Sequence, residues 1–122
     1  MHIIVKSLPH ADLDPVNEQG EYSVVRDWVC RLWINDVFRK FTIKAGYIGD
    51  GASVPRGFRW LIERDGVHRE SALLHDYLYE SKKFKRKETD QIFRECLKFQ
   101  GLASWKVFLM YNAVRIGGGL VW

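Results

Sequence analysis

Residues 68–80 read His68-Arg69-Glu70-Ser71-Ala72-Leu73-Leu74-His75-Asp76-Tyr77-Leu78-Tyr79-Glu80. Apolar positions fall at Ala72, Leu73, Leu74, Tyr77, Leu78 and Tyr79, nearly all round a helix rather than along one stripe. A helix of that kind is buried at the centre of a domain. The material that buries it must come from the chain on either side, and the two sides differ in character.

On the N-terminal side the signals are those of strands. Tyr22 to Trp33 is dominated by the β-formers Tyr, Val, Trp and Leu. Asn35-Asp36 marks a turn, after which Val37, Arg39, Phe41 and Ile43 alternate with Phe38, Lys40 and Thr42. Two such runs joined by two turn residues predict an antiparallel hairpin. Ile3-Ile4-Val5 adds a short edge strand. Leu8 to Gly20, rich in Pro, Asp, Asn and Gly, reads as a loop, and Gly46 to Gly57 as an irregular, structured one. Phe58 to Ile62 fits a short helical turn.

On the C-terminal side the period is helical. Lys87 to Phe99 places Ile92, Phe93, Cys96 and Leu97 on one stripe, and Gly101 closes it. Ser104 reads as the N-cap of a last helix from Trp105 to about Ile116. Gly117-Gly118-Gly119 ends that helix, and the apolar tail Leu120-Val121-Trp122 is expected to pack on the domain or on a partner. Strands followed by helices predict a segregated α+β fold: an N-terminal hairpin or small sheet, then three or four helices. The 122 residues fit one domain, with 1–45 mainly β, 46–66 a Gly-rich structured loop and 67–122 mainly α.

A hydrophobic fraction of 47% and an aromatic fraction of 14% exclude disorder for most of the chain. The net charge of +4 favours anionic partners without choosing among them. Its densest run, Lys82, Lys83, Lys85, Arg86 and Lys87, reads either as a solvated loop between helices or as a docking surface. Cys30 and Cys96 have no metal-ligand spacing; free buried thiols are the default, and a single bridge stays open. The start of the chain is too quickly polar for a signal peptide, and no run approaches the roughly eighteen apolar residues of a membrane span. Synthesis in the cytoplasm is the expectation.

Three stretches carry chemistry. In Gly49-Asp50-Gly51-Ala52-Ser53-Val54-Pro55-Arg56 the glycines let the backbone approach a ligand; the plainer reading is a tight turn in which Asp50 and Ser53 bond local amides. In the central helix His75 shares a face with Ala72, Leu78 and Tyr79 and should point inward, with Asp76 beside it. Adjacent buried ionisable groups are costly unless paired. Asp90 lies on the inward face of the next helix with Phe93 and Leu97. It either favours a helix N-terminus or reaches His75 and fixes its tautomer.

The ordered set Asp50-Gly51-Ala52-Ser53-Val54-Pro55-Arg56, then His75-Asp76-Tyr77-Leu78-Tyr79, then Asp90-Gln91-Ile92-Phe93 resembles a phage- and prophage-encoded family, domain-of-unknown-function family 1353. The likeness runs from Ile43 to Trp122 and includes Tyr111, Val114, Arg115 and Gly117. It implies a phage origin, synthesis in a host cytoplasm, and other virion proteins as partners. A more distant similarity is to phospholipases A2, which carry an Asp-Gly-Cys-Ser loop, a His-Asp-x-x-Tyr helix and a further Asp on a second helix. That resemblance implies a helical core of the same kind, with Asp50, Asp76 and the backbone around Gly51 as calcium ligands. His75 would be the base toward water and Asp90 the carboxylate that orients it, with Ser53 and Tyr79 in support. Calcium is then the implied cofactor, with no organic one, and an anionic or phospholipid surface the implied substrate face. The sequence departs from the phospholipases at their disulfide positions, which hold Ala52 and Ala72, and in its β-rich first half. Two expectations follow: a metal-dependent ester hydrolase, or a non-catalytic virion protein of the tail or its assembly whose polar cluster is structural. Nucleic-acid binding stands third, since no binding motif appears.

Overall fold

The computed structural model describes residues 1–16, 21–49 and 69–117. Along them run β1 (Ile3–Ser7), β2 (Leu13–Pro15), β3 (Tyr22–Val24), β4 (Trp28–Ile34), β5 (Val37–Ile43), β6 (Ile48–Gly49), α1 (Arg69–Ser81), α2 (Arg86–Phe99) and α3 (Ser104–Gly117). The class is α+β, with two small antiparallel three-stranded sheets followed by three helices among the described residues.

The predicted hairpin is β4 and β5, in register from Trp28↔Ile43 to Ile34↔Val37. Its two turn residues, Asn35 and Asp36, have φ of 50° and 65°. A two-residue turn matched to strand twist needs positive φ at both positions, which Asn and Asp tolerate. β1 pairs along the other side of β4, so the first sheet has the order β1-β4-β5. On β4, Trp28, Cys30, Leu32 and Ile34 are buried and alternate with Val29, Arg31 and Trp33. On β5 the alternation holds for one half only: Phe41 and Ile43 are buried, whereas Val37 and Arg39 are exposed. Arg39 lies over the Phe84 ring at 5.6 Å, at the margin of the core.

The sequence between Tyr22 and Trp33 is two strands in two sheets. β3 belongs to a second sheet of order β2-β3-β6, and Val25–Asp27 carries the chain to the first. Asp27 fastens the crossing by accepting the Ala45 amide at 2.8 Å and the Lys44 ammonium at 3.3 Å. Two predicted loops therefore contain strands: Leu13–Pro15 lies inside 8–20 and Ile48–Gly49 inside 46–57. Pro15 is tolerated because it ends a three-residue strand on a sheet edge, where a missing donor costs little.

The helices end as their residues dictate. α2 opens with the Glu88 carboxylate accepting the Lys85 amide at 3.0 Å, one half of a capping box. It closes at Gly101, whose φ of 85° suits glycine. There the Gly101 amide donates to Lys98 and the Leu102 amide to Leu97, a Schellman motif sealed by the apolar contact of Leu102 with Leu97. α3 opens one residue earlier than predicted. Ala103 supplies the first carbonyl, accepting from Lys106 and Val107, and Ser104 is already helical. The predicted helical turn at Phe58–Ile62 and the tail Leu120–Trp122 lie outside the described residues.

The core has two parts joined by α2. One packs Val24, Cys30, Leu32, Phe41 and Ile43 against Leu73, Leu74 and Leu78 of α1 and Ile92 and Cys96 of α2. The other packs Phe93 and Leu97 of α2 against Leu102, Val107, Met110 and Val114. Both cysteines are free and buried.

Candidate functional site

The polar centre stands between these two apolar clusters. α1 buries His75 among the turn neighbours Ala72, Leu78 and Tyr79, and α2 brings Asp90 to face it. His75 Nε2 lies 2.7 Å from Asp90 Oδ1, with both side chains fully out of solvent. The Tyr79 hydroxyl, one helical turn after His75, donates to the same Oδ1 at 2.7 Å. From α3, Arg115 Nη1 donates to Oδ2 at 2.9 Å, and Arg86 stands 3.9 Å from that oxygen. The His75 ring has two tilted aromatic neighbours, with the Tyr79 ring centroid at 4.3 Å and 46° and that of Phe93 at 4.5 Å and 33°.

The electrostatics follow from these contacts. Burial alone would raise the Asp90 carboxyl, but the hydrogen bonds from His75, Tyr79 and Arg115 outweigh it and hold the group below its ordinary value. Asp90 is therefore an ionised acceptor at neutral pH. The contact with His75 then requires a proton on Nε2, which in a neutral ring leaves the lone pair on Nδ1. Burial, and then the hydrogen bond to Asp90, push the Tyr79 phenol up, so it stays a donor.

Asp76 forms a second polar contact. It is buried, and its Oδ2 accepts the Tyr22 hydroxyl at 2.7 Å, tying the second sheet to α1. Burial and the Asp76 carboxylate raise the Tyr22 phenol well above its usual range. Tyr22 reaches Asp76 by crossing Gly49, its partner in the β3–β6 register. A Cβ at Gly49 would run into the Tyr22 ring and hydroxyl. The first glycine of the Gly49-Asp50-Gly51 stretch thus serves the passage of an aromatic ring.

Of the predicted site residues, the structure brings His75, Tyr79 and Asp90 together, with Asp76 next in the chain. Asp50, Gly51 and Ser53 lie outside the described residues. Among the described residues no group of three or more His, Cys, Asp or Glu side chains is arranged to hold a metal ion. Sequence reasoning missed Tyr22, Arg86 and Arg115 as members of the cluster. Arg86 belongs to the basic run read as loop or docking surface, yet it turns inward and donates to the Val114 and Arg115 carbonyls at 3.0–3.3 Å. A cation at the last carbonyls of a helix is a recurrent cap, but nothing local to residue 86 announces which helix it will close.

Comparison with known proteins adds membership and no activity. The chain is 31% identical over 81 residues to "Uncharacterized protein y4jT" of Sinorhizobium fredii (strain NBRC 101917 / NGR234), across 65% of this chain and 24% of that protein. The chain thus spans about a quarter of the length of that relative. No solved structure matches it at a significant level. A family model described as "Protein of unknown function (DUF1353)" matches residues 22–114. That span begins at the tyrosine that holds Asp76, includes the whole His75, Tyr79 and Asp90 cluster, and stops one residue short of Arg115; the chain belongs to the DUF1353 family.

Proposed function

We propose that the chain carries a calcium-assisted ester-hydrolase site in which His75 is the base toward water and Asp90 fixes its ring. The observation that carries this reading is the 2.7 Å contact of His75 Nε2 with Asp90 Oδ1 in a fully buried setting. In this reading the other ring nitrogen, Nδ1, takes the proton from water, while the ionised Asp90 stabilises the imidazolium that results. Tyr79 and Arg115 keep Asp90 from rotating, so the ring is oriented before substrate arrives.

The donor chemistry suits a hard cation, which takes carboxylate and carbonyl oxygens. Asp76 would be one ligand, a buried carboxylate that the Tyr22 hydroxyl holds in place. Asp50 and the backbone at Gly51 would supply the others. When bound, the ion would polarise an ester carbonyl and stabilise the oxyanion. Phospholipid is the proposed substrate class.

A second reading draws on the completeness of the same cluster. Asp90 accepts from three side chains on α1 and α3, and Asp76 holds the second sheet, so the network also serves as a fold-specifying brace. In that reading the chain is a non-catalytic component of a phage particle, in its tail or assembly. Calorimetric titration of metal-free protein with calcium, repeated on Asp76→Asn, separates the two. Saturable binding lost in the variant, with phospholipid or simple ester hydrolysis lost in His75→Gln, supports the hydrolase. Absence of calcium binding, or hydrolysis unchanged in His75→Gln, discards it in favour of the brace.

A further inference from the structure

Helix α3 turns apolar side chains to two sides. Val107, Met110, Ala113 and Val114 are buried, while Trp105, Phe108, Leu109 and Ile116 project outward, Phe108 67% and Ile116 85% exposed. At 3.6 residues per turn the outward four occupy an arc of about 100°. The polar residue in that arc, Asn112, donates its amide back to the Phe108 carbonyl at 2.8 Å. Single exposed apolar residues are ordinary on a soluble protein, but a continuous stripe of large ones marks a binding face.

Charge decides what the face fits. From Cys96 to Trp122 the chain has no Asp or Glu, and it carries Lys98, Lys106 and Arg115. Lys106 stands 5.6 Å over the Trp105 ring at the edge of the stripe. A second copy of the face would add like charge to like charge. A layer of anionic headgroups over hydrocarbon matches both features, since aromatic rings settle at that boundary while lysine reaches up to phosphate. α3 has 14 residues, about 21 Å of helix against a hydrocarbon core of about 30 Å. It can therefore lie on a bilayer and cannot cross one.

We propose that the outer face of α3 seats the protein on an anionic phospholipid surface, with Trp105, Phe108, Leu109 and Ile116 entering the headgroup boundary and Lys106 meeting the phosphates. This inference stands on α3 alone and holds whether or not the His75 site turns over; joined to the hydrolase reading, it names the surface on which that site would work.

The test is co-sedimentation of the full chain with vesicles of phosphatidylcholine mixed with phosphatidylglycerol, and with phosphatidylcholine alone. Binding should need the anionic lipid, weaken with salt, and fall by about tenfold or more in Trp105→Ser/Phe108→Ser. Circular dichroism of that variant must match the wild type. Trp33→Ser/Phe38→Ser is the control: it removes an exposed aromatic pair beside Arg31 and Lys40 on the outer face of the first sheet. An equal loss there would overturn the assignment to α3. Absence of vesicle binding would overturn the proposal outright, and a concentration-dependent mass increase abolished by the α3 variant would make the face a self-association surface instead. His75→Gln should bind vesicles as the wild type does, and calcium titration of the α3 variant should be unchanged, so failure of either reading leaves the other measurable.

Discussion

Asp90 is the residue on which most depends, because one carboxylate answers His75, Tyr79 and Arg115 at once. Asp90→Asn keeps the shape but presents two donors where only acceptors are wanted. The expected loss is about 3–5 kcal/mol, the usual result of breaking a buried charge pair by removing one partner, measured by urea denaturation at neutral pH. The acid limb follows from the sign of the shift. A carboxyl held below its ordinary value of 3.8 stabilises the fold above that pH, and the contribution is lost as pH falls through the lower folded value. The wild type should therefore lose stability steeply below about pH 4, and Asp90→Asn should lose less over the same interval. The thiols give a second expectation at this scale. Burial pushes Cys30 up to about 12 and raises Cys96 as well, so neither should be alkylated by iodoacetamide at neutral pH until urea unfolds the chain. Rapid labelling of native protein would contradict both burials. His75 and Asp90 were legible in the sequence because each sits on the inward stripe of its own helix and a buried ionisable group needs a partner. Arg115 and Tyr22 were not, since they lie 25 and 54 residues from the carboxylates they serve and no periodicity joins them.

Among the elements, the shortest strand has the tightest fit. β6 is two residues, Ile48 and Gly49, and it exists to let Tyr22 of β3 cross it and reach α1. Tyr22→Phe should leave the crossing intact and cost about 1–3 kcal/mol, the penalty for a buried acceptor that loses a hydrogen bond. Gly49→Ala should cost more, because the new methyl meets the Tyr22 ring itself and displaces it. In a Tyr22→Ala background, where the ring is gone, Gly49→Ala should become cheap. A double-mutant cycle of chemical denaturation reads that coupling directly; additive costs would mean the ring does not press on Gly49. The hairpin was legible for the reason these strands were not. Seven-residue strands joined by Asn35-Asp36 display the two-residue period and the turn chemistry together, whereas strands of two and three residues are too short to show a period. In Leu13–Pro15 and Ile48–Gly49, loop-like composition prevails over pairing that only the tertiary fold supplies.

At the scale of the molecule, α2 is the shared wall of two cores and the polar site is the seam between them. Ile92 and Cys96 face the first sheet and α1, while Phe93 and Leu97 face α3. α3 is attached by that second cluster, by Arg115 on Asp90, and by Arg86 on its last carbonyls. The first sheet, in contrast, is sewn by the long β4–β5 and β1–β4 ladders and, among the described residues, supplies no buried member of the second cluster. Stability should therefore be divided along the chain, with α3 opening at lower free energy than the hairpin. Leu97→Ala tests this because Leu97 belongs to the second cluster and also anchors the Schellman turn before α3. Its global cost should be about 2–5 kcal/mol, that of a fully buried leucine truncated to alanine. Native-state hydrogen exchange should show amide protection falling first across Ser104–Gly117, while Trp28–Ile34 and Val37–Ile43 keep protection set by the remaining global stability. If all three segments lost protection equally, the two clusters would be one cooperative unit. Asp90 would then be holding together a single core that happens to have a polar centre. If α3 opens alone, Arg115 leaves Asp90 with it, and the setting of His75 becomes a property that the position of α3 controls.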